Sequence, residues 1–130
     1  MASRTIRQTV EFRASPDDVY EALMDSRNHA RFTGAKATVS RKIGGKFSVW
    51  DGYATGKNIE LVQGKKIVQT WRASDWPEGA ESKLVFRFTR TAKGTKMSFI
   101  QTGVPEEFAP DIRQGWKDFY WAPMKKMLEE

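Results

Sequence analysis

Residues 44–61 read GGKFSVWDGYATGKNIEL, a stretch that places four glycines in a region of strand-like pattern. Phe47 and Val49 alternate with Lys46, Ser48 and Trp50, the period of two of a strand with one buried face. Asp51-Gly52 marks a hairpin turn, because glycine takes the positive φ of a primed turn at no steric cost. A second strand-like run, Tyr53 to Leu61, leaves that turn and contains Gly56. Glycine weakens a strand unless the backbone bends sharply or another group approaches closely. The stretch therefore predicts a bent antiparallel sheet.

Working outward, the residues before it predict a strand and two short helices. Ile6, Val10 and Phe12 share one parity of a first strand. Ser15-Pro16-Asp17-Asp18 then supplies a cap, a first-turn proline and acids at the positive end of a helix running to about Met24. Asp25 to Phe32 reads as a second short helix ending before Thr33-Gly34. From Lys36 to Val104 only strand signals occur. Turns at Gly44-Gly45, Asp51-Gly52, Gln63-Gly64, Pro77-Glu78-Gly79 and Lys93-Gly94 divide them into five or six consecutive strands. In the tail, Phe108, Ile112, Trp116, Phe119, Pro123 or Met124, and Met127 recur at helical spacing, with Pro123 expected to kink the helix. The order predicts an α+β domain over residues 1–130: a curved antiparallel sheet of six or seven strands, with its one buried face covered by the long C-terminal helix.

Composition removes several chemistries. The chain has no cysteine and one histidine, which excludes disulfides, thiolate nucleophiles and a multi-histidine metal site. No metal, cofactor or catalytic residue is assigned. Ser48, Ser98 and Thr102 have no histidine placed to activate them. No apolar run reaches the length of a membrane span, and the N-terminus lacks the apolar segment of a signal peptide, so a cytoplasmic location is expected. The net charge of +6 attracts anions, but Lys and Arg occur as scattered pairs among acids rather than in a run, so no specific nucleic-acid site is expected.

Several motifs taken in order resemble the family of the activator of heat-shock-protein-90 ATPase. They are Pro16-x-x-Val19-Tyr20-x-Ala22-Leu23, Gly44-Gly45-x-Phe47 followed by Asp51-Gly52, Ile67-Val68-Gln69-Thr70-Trp71-Arg72, Trp76-Pro77-x-Gly79, and Gly115-Trp116. The resemblance spans about residues 8–128 and implies the helix-grip fold of the START-like (SRPBCC) superfamily. Members of that superfamily generally hold a hydrophobic ligand between the curved sheet and the last helix. In the eukaryotic activator a domain of this type forms the C-terminal half, and the resemblance implies that this sequence corresponds to that half.

The ligand-binding set expected on this basis is Trp71, Phe86, Phe99, Trp116, Phe119 and Tyr120, each either core or cavity wall. Gln69 and Gln101 join it as amides on an otherwise apolar parity; buried, they need a ligand group, a water or each other as partner. His29 is expected on a solvated surface, Arg72 facing solvent and pairing with an acid, and Glu60 either exposed or in the cavity. Trp50 and Trp76 are expected as exposed members of a docking patch. The function expected first is non-enzymatic binding of a small hydrophobic molecule. The alternative is a co-chaperone-type module binding heat-shock protein 90, followed by an enzyme acting on a cavity-bound ligand. Scattered cations predict that any association with nucleic acid is weak, sequence-independent and lost between low and physiological salt. Retention of tight binding at physiological salt, read by fluorescence anisotropy, would contradict this.

Overall fold

The computed structural model describes residues 2–129. Strand β1 (Ser3–Phe12) leads into helices α1 (Pro16–Met24) and α2 (Ser26–Thr33). Strands β2 (Thr38–Val39), β3 (Lys46–Val49), β4 (Ala54–Val62), β5 (Lys66–Ala73), β6 (Ser82–Thr91) and β7 (Gly94–Pro105) follow. The tail is helical from Glu106 to Glu129 and contains α3 (Ala109–Trp116) and α4 (Ala122–Glu129). Local chemistry sets the helix starts. The Ser15 hydroxyl accepts from the Asp18 N–H at 3.1 Å, and the Asp25 carboxylate accepts from the Asn28 N–H at 2.9 Å. These side chains satisfy N–H groups that a helix leaves unpaired at its start.

All strand pairings are antiparallel, and the seven strands lie in the order β1-β7-β6-β5-β4-β3-β2. This is a meander with the first strand added beside the last. With the helices after β1 and the terminal helix against the inner face, it is the helix-grip fold. Ile67, Trp71, Leu84, Phe86, Phe88, Met97 and Phe99 point inward from the strands into one core with Ile112, Trp116, Tyr120, Trp121 and Met124 of the tail. Alternation also turns scattered cations to a common side. Arg7, Lys57, Lys83, Arg87 and Lys96 are exposed at positions of opposite parity, on the outer face of the sheet.

Two glycine expectations resolve differently. At the β3–β4 turn the positive φ is not confined to Gly52 (91°); Trp50 (55°) and Asp51 (56°) share it. The turn is therefore longer than a two-residue hairpin. Asp51 anchors it, its carboxylate accepting from the Lys36 N–H at 2.9 Å. Gly56 serves close approach: a Cβ there would lie 1.9 Å from the Thr70 carbonyl oxygen and 2.6 Å from the Phe47 ring. Next to it, β4 bulges between Asn58 and Glu60. The buried Asn58 amide donates to the carbonyls of Ser40 (2.7 Å) and Lys42 (3.0 Å), fastening the β2–β3 connection to β4.

The terminal helix departs from its predicted face. Residues Lys117–Trp121 form a π-helical turn between α3 and α4, and the Ala122 N–H bonds to the Lys117 carbonyl, five residues back. Pro123 follows at once and has no N–H to continue an α-helical ladder. The wider turn buries Tyr120 and Trp121 and leaves Phe119 55% exposed, so Phe119 is not on the buried stripe.

The packing at Gly56 predicts that Gly56→Ala destabilises the fold by roughly 1–3 kcal/mol through overpacking against the β5 backbone. Urea unfolding is expected to show a lower midpoint with the slope unchanged.

Candidate functional site

The space between sheet and helix is occupied by side chains. Trp116 lies at the centre, its ring centroid 4.7 Å from Phe99, 4.6 Å from Tyr120, 5.7 Å from Trp71 and 5.4 Å from Trp121. A cavity of about 20 Å³ remains, bordered by Gln69, Trp71, Phe86, Trp116 and Tyr120 among others. That is space on the scale of one water. Gln69 and Gln101 do not pair with each other. The Gln69 amide donates to Asn58 Oδ1 at 2.9 Å. Gln101 accepts from the Trp116 indole N–H at 2.8 Å and donates to Ser82 Oγ at 2.9 Å, and Ser82 donates to the Trp71 carbonyl at 2.7 Å. Both buried amides thus find protein partners and act as ties within the core.

A larger opening lies outside this core, between α3 with its π-helical turn and the β3–β4 turn. It is a groove of about 380 Å³. Buried Trp71, Trp116, Tyr120 and Ile112 form its floor, and Trp50, Tyr53 and Phe119 its walls. Gly115 contributes no side chain, which keeps the helix side open. Among the described residues, Asp111 is the charged member of the lining. Trp50 and Phe119 meet edge to face at 5.5 Å, so the exposed position of Phe119 makes it part of the groove wall. Of the expected ligand-binding set, Trp71, Trp116, Phe119 and Tyr120 come together here. Phe86 and Gln69 border the small interior cavity, and Phe99 and Gln101 are enclosed in the core. Trp50 and Tyr53 were not in that set; a tryptophan and a tyrosine flanking the Asp51-Gly52 turn are the signal that places two rings at one loop tip.

Three further expectations are corrected by the packing, and for Glu60 the exposed one of its two alternatives is found. His29 is 5% exposed, not solvated. Its Nδ1 lies 3.0 Å from the Leu23 carbonyl, which only accepts, so Nδ1 carries the proton and Nε2 accepts from the Tyr120 hydroxyl at 2.9 Å. Burial lowers the imidazole pKa to about 4 and pushes the Tyr120 phenol well above its ordinary range. Trp76 is buried against Trp71 at 5.3 Å, with its indole N–H unpaired among the described residues, so Trp50 and Trp76 form no common exposed patch. Arg72 pairs with no acid among the described residues but donates to the carbonyls of Trp76, Pro77 and Ala80, holding the β5–β6 loop. Glu60 bonds Lys66 at 3.1 Å at the surface and does not enter a cavity. Among the described residues, no group of three His, Asp or Glu is placed to hold a metal ion.

The model of the family "Activator of Hsp90 ATPase homolog 1-like protein" matches residues 13–129. The chain belongs to this family. It is 35% identical over 116 residues to the activator of 90 kDa heat shock protein ATPase homolog of Dictyostelium discoideum, covering 88% of this chain and 30% of that protein. It is 32% identical over 122 residues to human activator of 90 kDa heat shock protein ATPase homolog 1, covering 94% of this chain and 36% of that protein. The chain thus spans about a third of the length of these relatives. The crystal structure of an HSP90 activator from Plasmodium falciparum superposes with a TM-score of 0.88 at 25% identity, covering 96% of each chain.

The His29 site predicts a pH dependence of stability. Its pKa is about 4 in the folded chain against 6.5 for an unperturbed histidine, so between these values the unfolded chain binds more protons. The stabilisation is complete above about pH 6.5 and is lost towards about pH 4, by up to about 3 kcal/mol. The unfolding midpoint of the parent is expected to fall more steeply over this range than that of His29→Gln, as read by urea titration followed by circular dichroism.

Proposed function

We propose that this chain is a non-enzymatic, co-chaperone-type module that binds a heat-shock protein of the 90 kDa class and raises its ATPase rate in the cytoplasm. The observation that carries this reading is end-to-end correspondence with the Plasmodium HSP90 activator, 96% of each chain at 25% identity, within a family of activator homologues. Relatives named as activators act on another protein's ATPase, a role that requires no nucleophile, base or metal set in the activator itself. No helix among the described residues is long and apolar enough to cross a membrane.

A second reading has its own observation. The groove of about 380 Å³ falls in the size range of small-molecule sites, and its walls are mostly aromatic. It supports binding of a small hydrophobic molecule against the terminal helix, displaced outward from the filled space between helix and sheet. Trp71, Trp116, Phe119 and Tyr120 are the proposed contacts. Gln69, Gln101, Phe86 and Phe99 support them from behind.

The first reading is tested by titrating the purified chain into heat-shock protein 90 and following ATP hydrolysis together with binding by calorimetry. Saturable stimulation is expected; no binding and no stimulation at high micromolar concentrations would exclude it. For the second, Phe119→Ser is expected to weaken an apolar fluorescent probe several-fold while leaving the unfolding midpoint nearly unchanged, because this ring is more than half exposed.

A further inference from the structure

The groove has a chemical polarity that its apolar character hides. Its floor presents the rings of Trp71, Trp116 and Tyr120, and its walls those of Trp50 and Phe119. Aromatic faces carry negative quadrupole density and attract cations. The charged side chain in the lining is the Asp111 carboxylate, although the chain as a whole is +6. Asp75 lies near the same end, where it and Asp111 act on the Tyr53 hydroxyl; burial first, and then these carboxylates, raise that phenol above its ordinary value. Among the described residues, no lysine or arginine lines the groove.

Two polar groups of the floor, on Trp116 and Tyr120, are already committed. The Trp116 indole N–H is donated to Gln101 and the Tyr120 hydroxyl is engaged with His29, both inside the core. A carboxylate or phosphate entering here would meet Asp111 rather than a cation, and would find neither of these donors free. A neutral hydrocarbon would gain burial alone. An organic cation would gain burial, the ring faces and the carboxylate together. The Trp50 wall is also set in advance: its φ of 55° is rare for a bulky residue, and the neighbouring Asp51 is held to Lys36 by hydrogen bonds in both directions.

We infer that the groove between α3, its π-helical turn and the β3–β4 turn is a binding site for a small organic cation with an apolar body, an alkyl- or arylammonium compound, with Asp111 as counter-ion. This rests on the second reading above, that the groove takes a small molecule, and it adds the sign of that molecule's charge.

Octyltrimethylammonium, octan-1-ol and octanoate share one apolar chain and differ in the head. Each is titrated below its micellar concentration into the full chain, with binding read by calorimetry and by tryptophan fluorescence. Saturable one-to-one binding of the ammonium compound is expected, about tenfold or more tighter than either analogue. Asp111→Asn is expected to remove most of that preference while leaving octanol binding unchanged, since Asp111 is exposed and its loss uncovers no buried group. Octanol or octanoate binding as tightly as the ammonium compound would overturn the charge assignment while leaving the small-molecule reading in place. Binding of none of the three would overturn both. An ammonium preference that persists in Asp111→Asn and Asp75→Asn would overturn the placement of the site.

Discussion

The buried hydrogen bond from the Trp116 indole to Gln101 fixes how the terminal helix lies on the sheet. Trp116 and Gln101 are both enclosed, and the bond runs on through Ser82 to the backbone of β5. A buried amide deprived of its partner costs about 1–3 kcal/mol, so one helical register is favoured over its neighbours. A second tie, from the Trp121 indole to Gln8 on the adjacent strand β1, holds the helix further along its length. Between these two bonds the aromatic rings of both layers have one way to interlock, and that interlocking fills the space in which a helix-grip domain would otherwise hold a ligand.

The two tied tryptophans stand five residues apart, and the π-helical turn is what lets both face the sheet. An ideal α-helix advances about 100° per residue, so positions five apart diverge by well over a quarter of a turn. The wider turn reduces that divergence. It also carries Phe119 outward, to the Trp50 edge. The missing N–H of Pro123 removes one obstacle to this geometry, because no α-helical bond is lost at that position. The same local irregularity therefore serves the core and opens the groove. π-Helical turns recur at functional sites, and Phe119 and Tyr120 of this one line the opening.

Strand alternation gathers Arg7, Lys57, Lys83, Arg87 and Lys96 on the outer face of the sheet, while Asp111 lines the groove. The His29–Tyr120 bond adds a link of another kind. It joins α2 to the terminal helix through a neutral imidazole, and Nδ1 extends the link to the end of α1 at Leu23. The two short helices thereby support the back of the ring that forms the groove floor.

Element order, the meander, the inward parity of the strands and the family were all readable along the chain. These depend on local periodicity, caps and turn residues, which act within a few positions of one another. Gly56 was legible as a site of close approach; which atoms approach, the Thr70 carbonyl and the Phe47 ring, was not. Gln69 and Gln101 were legible as buried amides needing partners, but those partners lie on other strands and on the helix. Folding in three dimensions was needed to bury His29, in a segment rich in charged neighbours, because its environment comes from Tyr120, 91 positions away. Packing likewise turned Phe119 outward, since a shift from α to π hydrogen bonding leaves no mark in residue spacing. It also filled the space under the helix and put the opening beside it, because a cavity is the volume left over when all side chains have packed, and no local pattern encodes that remainder.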